Sequence, residues 1–271
     1  MKKTLQELTI KDPFMFAAIM SDEERCKEFL SIVLKKEILE VTVVTEKTIT
    51  YHPEYHGVRL DVLAVEDDTQ CRFNVEMQIR DKRNLPKRSR YYHAQIDMDA
   101  LLTGLDYNEL PDTYVIFICD YDPIGMNLYR YTIANQCMEN GQVISDGNHT
   151  IWLSTKGQNA CDESEALVEF LQYVGNPVQS KDTQGSGTFV ASLKKQIAAI
   201  KRNRDWEAKF MLFEEMLKDE REEGRREGEE STLQKMNQLT RILAEQNRID
   251  DIVKAANDTD FQNQLFKEFN L

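Results

Sequence analysis

Between residues 71 and 79 the chain reads CRFNVEMQI, and apolar and polar positions alternate. Phe73, Val75, Met77 and Ile79 fall on one side, and Arg72, Asn74, Glu76 and Gln78 on the other. A period of two is that of a strand, and it places Glu76 and Gln78 on one face. The Val- and Thr-rich segment 39–50 and the apolar run GVRLDVLAV at 57–65 predict two strands before it. TYVIFICDYDP at 113–123 is almost continuously apolar before its acids, as expected of a strand covered on both faces. Further strands are predicted near 128–135 and 150–155.

Helical signals flank these strands. Residues 12–38 open on Asp12-Pro13, a cap followed by a residue suited to a first turn, and predict one broken helix or two short ones. From Leu85 the pattern is helical and is expected to end at a C-cap glycine, Gly104. The stretch 176–187 (NPVQSKDTQGSG) reads as a linker, and residues 188–246 contain no proline and look helical throughout. The last residues predict two short amphipathic helices around NDTD. The expected organisation is an α/β or α+β layer domain over 1–175, a linker over 176–187 and an all-helical region over 188–271.

The charge balance changes this picture locally. There are 47 acidic and 34 basic residues, a net charge of −13, which argues against a generally basic nucleic-acid binder. Residues 80–93 run the other way, with six Lys or Arg and one Asp. Residues 205–230 carry eleven acids and five bases, the composition of a solvated charged helix, with Gly224 and Gly228 four apart. Five cysteines without C-x-x-C spacing suggest reduced thiols, and no segment resembles a secretory signal or a membrane span. A cytoplasmic protein with no membrane partner is expected. His52 and His56 stand four apart around Pro53 with no evident third ligand, so zinc is not expected.

Asp61 and Glu76 lie on neighbouring predicted strands. Two such carboxylates have the chemistry to hold a hard divalent cation, which takes oxygen ligands and often shares them with substrate phosphate. The same residues would equally suit the solvated face of a sheet.

The order of elements, with RLDVLAVEDDTQCRFNVEMQ followed by RSRYYHAQID and LLTGLDYNELPDTYVIFICDYD, resembles the PD-(D/E)XK restriction-endonuclease-like core. More narrowly it resembles the Rpn family of recombination-promoting nucleases, also labelled transposases. The resemblance implies a mixed sheet flanked by helices, here with a C-terminal all-helical extension. It implies a DNA endonuclease that depends on Mg²⁺ or Mn²⁺ and promotes recombination. Asp61 and Glu76 match the metal-binding catalytic acids, and Asp12 matches an N-terminal acidic position suited to an outer-shell ligand. Gln78 stands where the broader superfamily often has lysine, and an amide orients water or phosphate only by hydrogen bonds. Lys82, Arg83, Lys87, Arg88 and Arg90 fit a phosphate-binding role, and Tyr91 and Tyr92 a stacking role on DNA. The helical region is expected to support a homo-oligomer. The competing reading is a catalytically weak or inactive, nuclease-derived module that binds DNA or protein.

Overall fold

The computed structural model describes residues 3–49, 58–178 and 188–271. His52 and His56, and most of the expected linker, lie outside the described residues. The chain divides into two compact units, residues 1–207 and 208–271.

The first unit is built on a six-stranded sheet: β1 (Val41–Ile49), β2 (Val58–Glu66), β3 (Arg72–Gln78), β4 (Thr113–Cys119), β5 (Arg130–Ile133) and β6 (Asn148–Ser154). The spatial order is β1-β2-β3-β4-β6-β5. β1, β2 and β3 run antiparallel in succession, β3, β4 and β6 run parallel, and β5 closes the far edge antiparallel to β6. A parallel β3–β4 pair needs a crossover, and α3 (Leu85–Ala100) supplies it.

Helices cover both faces. α1 (Pro13–Met20) and α2 (Glu23–Leu34) pack on the β1–β2 side, joined by α4 (Glu165–Gly175) and α5 (Phe189–Arg202). Phe170 links this layer, with ring centroids 5.2 Å from Phe29 and 5.7 Å from Phe189. On the opposite face, Leu85, Tyr92 and Ile96 of α3 bury against Leu60, Val115, Phe117 and Trp152. β3 is therefore enclosed on both sides. Asn74 and Glu76, which a solvated face would have left wet, are 0% and 2% exposed.

Three expectations are corrected. α3 stops at Ala100, because Leu101 is already extended, and Gly104, at φ +94°, serves the following turn instead. The division of the chain falls at 207/208 rather than at 176–187. The reason is α5, whose apolar side (Phe189, Val190, Leu193, Ile197, Ile200) is buried and which packs on α1 and α4. Asp12 sits at the N-cap position of α1 without bonding to the helix; its carboxylate accepts from the Thr9 amide at 2.7 Å and from Lys3 at 2.6 Å.

The second unit holds most of α6 (Arg204–Glu245), α7 (Ile249–Asn257) and α8 (Thr259–Glu268). Leu239, Leu243, Ala255 and Leu265 form a small core of their own. Arg248 fastens it by bonds of 2.6 Å to both Asp251 and Glu268. Gly224 and Gly228 face open space, so no close helix crossing among the described residues uses them.

His93 pins α3 to the sheet. Its ring nitrogens lie 2.7 Å from Thr113 Oγ1 on β4 and 2.9 Å from Thr150 Oγ1 on β6. Burial, reinforced by His149, pushes its pKa from 6.5 down to about 4. The folded state thus prefers the neutral ring, and the stability this contributes is full above pH 6.5 and lost as pH falls through about 4. Between about pH 7.5 and pH 4, wild type should lose on the order of 3 kcal/mol more than a His93→Gln variant. Urea unfolding at both pH values checks this; parallel losses in the two proteins would contradict it.

Candidate active site

The site begins where the β2–β3 ladder ends. The paired register runs from Val65–Arg72 to Val62–Val75, and one step further Asp61 meets Glu76. There the Asp61 amide donates to Glu76 Oε1 at 3.2 Å, and the Met77 amide donates to Asp61 Oδ2 at 3.1 Å. The Met77 amide, which would continue the ladder, goes to a side-chain oxygen instead. Each carboxylate is fixed by the backbone of the neighbouring strand.

Glu76 is the buried member, and Asp61 is half-buried. Burial and then the charge of Asp61 push the Glu76 pKa well above the usual 4.5, against the opposing effects of the Asp61 amide, Arg88 and Asn74. A pair held this way favours the arrival of a cation, which would relieve both the burial cost and the mutual repulsion. Among the described residues no group of three or more His, Cys, Asp or Glu comes together. Two carboxylates are nevertheless a donor set that suits Mg²⁺ or Mn²⁺, ions that complete their shell with water and phosphate oxygens. Asp61 and Glu76 fit the ion; the Asp12 carboxylate is bonded to Thr9 and Lys3.

Gln78, two residues on from Glu76, leaves neither end of its amide idle. Its Nε2 donates to the Met77 carbonyl at 3.0 Å, and its Oε1 accepts from Arg88 Nη1 at 2.7 Å. Arg88 Nη2 also lies 3.4 Å from Glu76 Oε2 and 2.6 Å from the Tyr92 hydroxyl. Arg88 and Tyr92 are one turn apart on α3, and their guanidinium and ring meet at 5.2 Å. Burial opposes the charge on Arg88, but Tyr92 and the two carboxylates outweigh it and hold its pKa above the ordinary value. Burial and the Glu76 charge push the Tyr92 hydroxyl up to about 12.

The expected DNA-binding residues therefore divide. Lys82, Arg83, Lys87 and Arg90 are exposed, on the loop and helix start directly after Gln78. Arg88 is part of the carboxylate site. Tyr92 is buried, stacked on Phe117 with centroids 5.9 Å apart, and Tyr91 packs at the edge of the same core. Tyr92 therefore has no ring face to offer a base. The signal that sequence reading passed over is the place of Arg88 in the α3 stripe, beside Leu85, Tyr92 and Ile96.

An antiparallel hairpin bearing Asp and then Glu, continued by parallel strands and roofed by a crossover helix, defines a nuclease-type α/β core. A family model described as PD-(D/E)XK nuclease family transposase matches residues 11–221, more than half of the chain, and the protein belongs to this family. No match was found among curated proteins or among solved structures.

The raised Glu76 pKa has a sign that can be checked. The folded state holds the proton more tightly than the unfolded chain, so this stabilising contribution is present below pH 4.5 and lost as pH rises through the folded value. At neutral pH without divalent ions, Glu76→Gln should melt above wild type, and the gap should close on acidification. Added Mg²⁺ or Mn²⁺ should raise the melting temperature of wild type and leave that of Glu76→Gln unmoved. Equal responses to the ion in the two proteins would remove Glu76 from the ligand set.

Proposed function

We propose that the protein is a divalent-metal-dependent DNA endonuclease that hydrolyses phosphodiester bonds and thereby promotes recombination. The observation that carries this reading is the Asp61–Glu76 pair, locked by reciprocal main-chain bonds at the end of the β2–β3 ladder. Family membership and the exposed bases that follow Gln78 support it.

Asp61 and Glu76 would hold the ion. Once bound, the ion would polarise the phosphate and lower the pKa of the attacking water. In the reaction the water oxygen bonds to phosphorus as the bond to the leaving oxygen breaks; the water loses a proton and the leaving oxygen gains one. Gln78 carries no charge and is bonded at both ends, so its role is to hold neighbouring groups in line. Lys82, Arg83, Lys87 and Arg90 would grip flanking phosphates, a contact that positions the duplex without reading its sequence.

No helix among the described residues is long and apolar enough to cross a membrane. Double-strand cleavage by a single-site nuclease usually takes two copies on one duplex, and we read the exposed Met211, Leu212 and Met216 of α6 as a self-association surface. Sedimentation of the full chain tests this, and a monomer at all concentrations would remove it.

Purified protein incubated with supercoiled plasmid should cut it in Mg²⁺ or Mn²⁺ and not in EDTA. Asp61→Ala and Glu76→Ala should abolish cutting while binding to DNA survives. Binding by wild type without any cutting would favour the nuclease-derived binding module instead. Replacing Lys87 and Arg90 with Ala should weaken binding alike on all sequences and flatten the dependence of log K on log salt by about one to two units. An unchanged slope would mean that these bases are only a solvated face.

A further inference from the structure

The cation nearest the carboxylate pair comes from a helix and not from the strands that carry the acids. Arg88 reaches in from α3 and ends between Glu76, Gln78 and Tyr92. Its short contacts, 2.7 and 2.6 Å, are to the neutral amide of Gln78 and the hydroxyl of Tyr92, whereas the Glu76 carboxylate is 3.4 Å away. The guanidinium also lies 5.2 Å from the centroids of both Tyr92 and Phe117. Neutral partners and aromatic faces thus seat much of the charge, and the ion pair with Glu76 is the longest of its three hydrogen-bonded contacts.

We propose that Arg88 is a catalytic residue: its guanidinium contacts the phosphate under attack and stabilises the negative charge that develops there, in place of a strand-borne lysine. This deepens the nuclease reading above and rests on it. Three of the five N–H donors of the guanidinium serve Gln78, Glu76 and Tyr92, and the side chain is 24% exposed. That leaves donors and an open edge for a phosphate oxygen. The guanidinium fork matches phosphate geometry and stays charged at every working pH. Arg88 is accordingly no general base; it holds and stabilises phosphate charge. Gln78 is the adapter that makes this possible. A lysine at 78 would set a second cation against Arg88, whereas the amide accepts a hydrogen bond from it.

The alternative is purely structural, with Arg88 present only to offset the buried charge of Glu76. The two roles separate in a set of four variants, Arg88→Met, Arg88→Lys, Gln78→Lys and the double variant Gln78→Lys/Arg88→Met. Each is measured as the full chain for cleavage in Mg²⁺ and, without DNA, for Mn²⁺ affinity by calorimetry.

Arg88→Met should lower kcat by about 100-fold or more, the scale of removing one charge-stabilising donor from a transition state. KM should stay within about threefold, as for an interaction made in the transition state. Mn²⁺ affinity should be equal to wild type or tighter, because a competing cation has left Glu76. Arg88→Lys should fall between wild type and Arg88→Met, since it keeps the charge and loses the fork. Gln78→Lys alone should cut more slowly than wild type, yet in the Arg88→Met background it should recover at least about tenfold in kcat by returning a cation to the site.

Wild-type kcat in Arg88→Met would overturn the proposal and leave the nuclease reading standing. A loss of Mn²⁺ affinity in Arg88→Met that parallels its loss of cleavage would assign Arg88 the structural role and overturn it as well. Should Arg88→Met melt below the assay temperature, the double variant decides, and a folded double variant without recovery counts against the proposal. Wild-type protein that binds Mn²⁺ and cuts no DNA would bring down both readings together.

Discussion

A carboxylate at 2% exposure is the constraint around which this sheet is arranged. Taking an ionised group out of water is costly unless hydrogen bonds and opposite charge compensate it. Glu76 receives some of each, from the Asp61 amide and from Arg88, and the remainder appears as its raised pKa. The hairpin geometry follows from the same demand. β2 and β3 stop pairing backbone to backbone at Val62–Val75, and the amides of Asp61 and Met77 bond to the two carboxylates.

The second acid is what makes the arrangement chemical. A lone buried glutamate could stay protonated and inert. With Asp61 beside it the site has two oxygen-bearing groups on adjacent strands, fixed in orientation before any ligand arrives. Preorganised donors of this kind need no rearrangement at the moment of reaction. The surrounding layers keep it so: Phe117 and Tyr92 form a rigid apolar wall, and His93 ties the same helix to β4 and β6 through two hydroxyls.

Much of this was legible in the chain itself. Period-two alternation put Glu76 and Gln78 on one face, and the short turn between the two strands put Asp61 opposite. The layered helix-and-strand domain with a helical extension followed from element order, and the mixed sheet from the family resemblance. Periodicity could not tell that the polar face of β3 is roofed by α3, because burial depends on what packs above a strand. The seat of Arg88 beside the carboxylates was missed for a related reason. A basic run reads as surface, and only its position in the apolar stripe of α3 distinguishes it from Lys87 and Arg90. Asp12 shows the opposite limit: the dipeptide Asp-Pro announces a helix start, but Thr9 and Lys3 decide where the carboxylate turns. The boundary between the two units was hidden because a helix-rich composition does not reveal that α5 packs with α1 and α4.

The chain order of the site elements has a kinetic side. Asp61, Glu76, Gln78 and Arg88 all come from one stretch that runs from β2 (Val58–Glu66) to α3 (Leu85–Ala100), so the hairpin and its helix need only short loop closures to meet. Phe117, on which the arginine rests, arrives later in the chain with β4. During synthesis the two acids can therefore find each other before the seat of the guanidinium exists. The docking of one buried strand, β4 in its parallel register with β3, completes the charge arrangement of the site.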